Sequence, residues 1–409
     1  LQTFLGWIDG DPSHEDAVLK ALGSRGQHDA REELGLSSLR DSFADTFFPG
    51  LSTIQTRARY FFFVQWCCEL AARRSTEEDI LAALHRHEVD LIRALSHLGP
   101  RHGVIGIDSQ EQLKRMPSDI YWSGLQRLGL RQVEGGAAHW ARSVIAAREA
   151  DRLSPGREGE TASSSALGFD PDRPAMPDGF PKTTALDFRL TTEERRALRR
   201  RLAGACLDSK GRLQQYNLMT VFPSHRERLP VGLDLWHHPM IPKLAADTQH
   251  LLDLARAFAE VMYGSGILYR RIVAKLSLPE GGSLDRYDGH DASFRAWSEG
   301  LQSRDVELVI SEIDQVVRLG VLTRHTIGPE TLAFVKGWAA LCQDASALPT
   351  SQAAEALVSA REVALKAGAG TSRIRSRPAR ARWQGGEAQR LDYRWGTAHR
   401  FLNDLAGVP

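Results

Sequence analysis

Apolar residues recur every three or four positions along much of this 409-residue chain, whereas the strict alternation of a half-buried strand is scarce. In Glu77 to Leu98 they fall at 80, 81, 84, 91, 92, 95 and 98, with Ser75 and Thr76 ahead of them as N-cap candidates. The same spacing predicts helices over Asp247 to Leu276, Thr331 to Cys342, Gln352 to Lys366 and Arg390 to Leu405. Thr191, followed three residues later by Glu194, has the form of a capping box opening another helix. The fold class expected is mainly α. In the longest predicted helix Gly264 and Gly266 lack side chains and would let a neighbouring helix approach closely.

The longest apolar run, Tyr60 to Ala72, is interrupted by Gln65 and Glu69 and is shorter than the roughly 20 residues a membrane span requires. The N-terminus, LQTFLGWIDGD, lacks the basic, apolar and small-residue succession of a secretory signal, so a cytoplasmic protein without a membrane association is expected. Between residues 151 and 183 the chain is rich in Ser, Pro, Gly and Asp, which reads as a linker between two helical lobes, 1–150 and 184–409.

Charge sharpens this division. From Lys366 to Arg400 there are nine Lys/Arg against two acids, leaving 43 against 49 in the remainder. A mildly acidic body thus carries a basic segment at 371–400, the arrangement expected of a protein with a polyanionic partner. Within that segment TSRIRSRPARARW carries Arg373, Arg375, Arg377, Arg380 and Arg382 ahead of Trp383. Arginines beside aromatics suit phosphate neutralisation and base stacking, and DNA is the partner expected.

Two further stretches invite an anion or DNA reading. In DTFFPGLSTIQTRARYFFFVQW a helix is predicted from about Thr53, with Ser52 to Gln55 as its capping box. Arg57 and Arg59 would lie roughly 200° apart on such a helix, too far round to grip one phosphate together. Either one of them joins Ser52 and Thr53 at an anion site, or both are structural clamps paired with Asp41 or Asp45. Between 109 and 131, a helix from Ser109 to Met116, a turn at Pro117-Ser118 and a helix ending at Gly129 would form a candidate helix-turn-helix presenting Gln126, Arg127 and Arg131.

Catalytic signatures are missing: there is no GxxxxGK[ST], no HExxH and no GxSxG, and the four cysteines lack zinc-knuckle spacing. His85 and His87 are two apart on a predicted helix and face different ways. The catalytic residues stay unassigned, and no metal site or cofactor is predicted. Asp9, Glu33, Asp41 and Asp45 are the acids that a metal-dependent nuclease would have to assemble.

The stretches FLGWID, EELGLSSLRDSFADTFFPGLSTIQTRARYFFFVQW, PSDIYWSGLQRLGL, FAEVMYGSGILYRRIVAKL, REVALKAG and LDYRWGTAHRFLNDL together resemble an uncharacterised bacterial family, domain of unknown function 6361. The resemblance implies company rather than chemistry: anti-phage and DNA-modification gene clusters, beside helicases, phospholipase-D-like nucleases and methyltransferases. The function expected is a non-enzymatic, DNA-associated accessory subunit of a defence system. A protein-interaction scaffold for a helicase or nuclease, without DNA contact, is the alternative, and a metal-dependent nuclease the third.

Overall fold

The computed structural model describes residues 33–99, 102–109, 112–153, 167–183, 186–206, 210–366 and 371–407. They form helices α1 (Ser37–Phe47), α2 (Tyr60–Ala71), α3 (Glu77–Leu95), α4 (Pro117–Arg127), α5 (Ala137–Leu153) and α6 (Thr192–Gly204). After a run of short 3-10 turns come α7 (Ala246–Ser277), α8 (Leu284–Gly300), α9 (Ser303–Thr323), α10 (Pro329–Leu341), α11 (Gln352–Leu365), α12 (Arg377–Ala381) and α13 (Trp395–Ala406). Among the described residues there is no strand, only a lone antiparallel bridge between Arg131 and Phe169, and no helix is long and apolar enough to cross a membrane. The chain is mainly α, as the periodicity predicts.

Internal contacts group the described residues into two compact units, Phe47–Lys243 with 394–407, and Leu244–Tyr393 with 33–46. This differs from the division placed at 151–183 by composition. Residues 154–166 of that stretch lie outside the described residues, but 167–183 are packed within the first unit. Phe169 is fully buried, the Trp66 indole donates to the Pro174 carbonyl (3.1 Å) and Arg173 meets Glu69 (2.7 Å). Two aromatics and a proline carbonyl outweigh the Ser/Gly content around them.

In the first unit α2 is apolar almost all round, and Tyr60 to Cys68 are buried without exception. Tyr60, Phe61 and Phe63 pack with Tyr121, Phe180, Phe188 and Phe401, ring against ring at 5.0–6.1 Å. Against this core α3 sets the buried Glu88, which accepts from the Ser118 amide (2.6 Å) and hydroxyl (3.0 Å) at the start of α4. Burial raises this carboxyl to about 8, and the two Ser118 bonds oppose that rise. At α6 the capping box forms as read: the Glu194 amide bonds the Thr191 hydroxyl (3.1 Å), and the Glu194 carboxylate accepts from the Thr191 amide (2.7 Å).

The second unit is organised along α7. Helices α8 and α9 are absent from the sequence-derived set; of the four residues α8 buries, His290, Phe294, Trp297 and Ser298, two are polar, so the helical spacing is not written in apolar residues. At Gly264 α8 comes close: a Cβ there would overlap the six-membered ring of Trp297. That ring stacks on Trp338 (6.0 Å between centroids), and the two indoles donate to the carbonyls of Glu260 and Val261 on α7. Alanine at 264 gains about 1 kcal/mol of helix propensity but forces the indole out of place, a larger cost. Gly264→Ala is therefore expected to lower the melting temperature of the protein; thermal denaturation checks this, and an unchanged or raised midpoint contradicts the packing.

Candidate nucleic-acid interface

The arginines of 52–59 occupy a turn rather than a helix. Ser52 and Gln55 do bond reciprocally, Gln55 N to the Ser52 carbonyl (3.3 Å) and Ser52 N to the Gln55 side chain (3.1 Å), yet α2 begins at Tyr60 and not near Thr53. The reason lies in the next three amides. Those of Thr56 and Arg57 donate to the Tyr121 hydroxyl (2.9 and 3.0 Å), and that of Ala58 donates to Asp404 (2.8 Å). Tyr121 returns a bond to the Arg57 carbonyl (2.7 Å), so distant side chains satisfy the backbone that a helical turn would otherwise satisfy.

Both guanidiniums are fully engaged. Arg57 grips Asp404 through Nε (3.0 Å) and Nη2 (2.6 Å), donates Nη1 to the His102 carbonyl (3.0 Å) and lies over the Phe188 ring. Arg59 pairs with Glu194 (3.0 Å) and with the carbonyl and carboxylate of Asp187 (2.8 and 3.2 Å). The carboxylates expected to serve them have other partners: Asp41 binds Arg40 (2.9 Å) and Asp45 binds His325 (2.8 Å). Ser52 is half-buried and Thr53 exposed, and the guanidiniums of Arg57 and Arg59 bond to other partners than these two hydroxyls. Burial raises the Asp404 carboxyl above its ordinary range, and the Arg57 bonds oppose that rise.

The first helix of the candidate helix-turn-helix is absent: the described residues of 109–116 form turns, one 3-10 residue and bends. Eight residues ending before a proline make a poor helix, and Leu113 and Met116 instead pack on Val89 and Ile92. Arg131, expected at the DNA face, is 1% exposed. Its guanidinium lies on the Trp122 ring and donates to the carbonyls of Trp122 (3.3 Å) and Gly135 (3.0 Å). Arg127 is exposed as predicted.

The basic segment divides in two. Arg373 pairs with Glu33 and donates to the Tyr269 hydroxyl (3.2 Å). Arg380 grips Glu280 (3.0 Å through Nε) and donates to the carbonyls of Arg373 and Ile374 (2.8 and 2.9 Å). These two are anchors. Between and beyond them Arg375, Arg377 and Arg382 are exposed, and among the described residues no carboxylate pairs with them. Trp383, expected to stack on bases, is half-buried, with its ring stacked on His290 (5.8 Å) and the Arg286 guanidinium over it (5.7 Å). Arg286 is exposed and adds a fourth cation, which no local signal in the sequence links to a segment nearly a hundred residues later. Of the remainder, Arg390 pairs with Glu260 (2.7 Å), while Arg394 and Arg400 donate to carbonyls of Leu51 and Gln55 (2.7 and 3.1 Å). The helix predicted from Arg390 starts at Trp395, because Tyr393 and Arg394 adopt positive φ (50° and 65°).

The acids of the nuclease reading are dispersed into ion pairs, Glu33 with Arg373 and Lys366, and Asp41 and Asp45 as above; Asp9 lies outside the described residues. Among the described residues no group of three His, Cys, Asp or Glu is arranged to hold a metal. His238 accepts from the Met240 amide (3.2 Å) with its ring stacked on Phe222 at 3.7 Å.

Residues 2–145 and 234–408 match a family of unknown function, DUF6361, and the chain belongs to it. No curated protein and no solved structure matches the chain.

The Arg57–Asp404 clamp makes a quantitative demand. Removing the arginine alone strands a buried carboxylate, so Arg57→Ala is expected to cost about 3–5 kcal/mol of unfolding free energy. Asp404→Asn keeps an acceptor for the Ala58 amide and is expected to cost less. Urea denaturation of both variants checks the order, and equal stability of wild type and Arg57→Ala contradicts it.

Proposed function

We propose that this protein is a non-catalytic, DNA-associated accessory subunit that touches the phosphate backbone through Arg375, Arg377 and Arg382, with Arg286 beside them. One observation carries the reading: these guanidiniums are exposed and, among the described residues, in no ion pair, while their neighbours Arg373 and Arg380 hold the segment down through theirs. A segment so anchored presents cations at fixed spacing and loses little freedom on binding. Phosphate contact without base readout gives affinity and little sequence preference. The bacterial anti-phage setting implied by the sequence resemblance belongs to this proposal and rests on that resemblance alone.

A second reading, a scaffold for a helicase or nuclease partner, draws support from α9, where Ile310 and Val321 lie exposed three turns apart. In that case the free arginines would meet an acidic protein surface.

Fluorescence anisotropy with a labelled duplex separates the two. Neutralising three phosphates predicts a log–log salt slope of about −2.7, hence a roughly 40-fold weaker affinity on going from about 50 to about 200 mM salt. Changing Arg375, Arg377 and Arg382 together to Ala is expected to abolish binding and leave the melting temperature unchanged, whereas Arg380→Ala is expected to lower it. Absent binding at low salt, or binding that survives the triple substitution, overturns the proposal in favour of the scaffold.

A further inference from the structure

In the first unit, too, guanidiniums gather that pair with no carboxylate among the described residues. On α6, Arg195 and Arg199 are one helical turn apart and share a face. Both lie against the end of α13: Arg199 Nη2 donates to the Leu405 carbonyl (2.6 Å), and a Cβ on Gly407 would come within 2.6 Å of Arg195 Nη1. Arg195 also donates to the Leu190 carbonyl (2.9 Å) and the Thr192 hydroxyl (3.2 Å). A third arginine, Arg226, comes from the loop that is tied to α13 by the Leu229 amide and Asn403 side chain (2.8 Å). Arg226 is exposed, without a hydrogen-bond or ion-pair partner among the described residues.

Two features mark this group. The Arg199 Nε is buried and donates to nothing. Burial, and after it the charges of Arg226 and Arg195, push the Arg199 guanidinium below its ordinary range, and among the described residues no carboxylate opposes them. The carbonyl end of α13 carries a partial negative charge of about half a unit, which offsets a small part of three cations.

The geometry points to a binding site for a phosphate group of charge −2 or more, formed by Arg195, Arg199 and Arg226. Three cations, two of which act on the third, exceed the single charge of an internal phosphodiester and suit a terminal phosphate or a diphosphate, whose several oxygens can accept from more than one fork. The site is separate from the arginines of the basic segment and independent of the function proposed for them.

Isothermal titration of the intact protein with inorganic pyrophosphate tests it, beside Arg226→Ala and Arg196→Ala. Both substituted residues are exposed, and Arg196 points off the shared face of α6. Saturable binding is expected in wild type and Arg196→Ala, weakened at least tenfold in Arg226→Ala. No binding in wild type, or equal weakening in the two variants, overturns the site, the second outcome reducing it to diffuse charge. A parallel titration with a short single strand, with and without a 5′-phosphate, distinguishes a strand end from a free phosphate compound: preference for the phosphorylated strand over pyrophosphate supports the former, and the reverse supports the latter.

Discussion

Attraction between guanidinium and carboxylate, strengthened where water is excluded, is the interaction on which this structure depends. Arg57 with Asp404, Arg59 with Glu194 and Asp187, Arg256 with Asp305, Arg373 with Glu33 and Arg380 with Glu280 each join elements that no backbone hydrogen bond joins. Among the described residues backbone ladders are local apart from the Arg131–Phe169 bridge, so the crossing of helices is fixed by side chains. A buried ion pair adds little net stability against an apolar pair of the same shape, but it tolerates one geometry and penalises the rest.

The turn at 52–59 shows the consequence. Its sequence carries a capping box and a helical apolar run, and on local grounds the helix should start six or seven residues early. Tyr121 and Asp404 take the amides of Thr56, Arg57 and Ala58, and the helix starts at Tyr60 instead. The partner of Arg57 lies 347 residues away along the chain, a distance over which no periodicity or spacing reports. Local features were legible: the Thr191–Glu194 box, the long helix α7, and Gly264 as the point of close approach. The choice of Asp404 over Asp41 was not, because carboxylates at equal chemical merit differ only in where the fold puts them.

The same sorting turns a charge run into a candidate interface. TSRIRSRPARARW reads as five equivalent arginines, yet folding assigns Arg373 and Arg380 to acids within the unit and leaves Arg375, Arg377 and Arg382 facing solvent. Trp383 follows the anchors, stacked between His290 and Arg286. Arg131, as basic as any of them in sequence, is buried with its guanidinium on the Trp122 ring and bonded to the carbonyls of Trp122 and Gly135. Cationic character is visible in composition; availability is a property of the folded partners.

Arginine-selective modification with phenylglyoxal, read residue by residue by mass spectrometry with and without duplex DNA, addresses this division most directly. Arg375, Arg377, Arg382 and Arg226 should react first, with the duplex shielding the first three, while Arg57, Arg59, Arg131, Arg373 and Arg380 resist until the protein unfolds. Equal reactivity across the basic segment, or a duplex that shields none of its exposed arginines, would contradict the assignment of anchored and available cations.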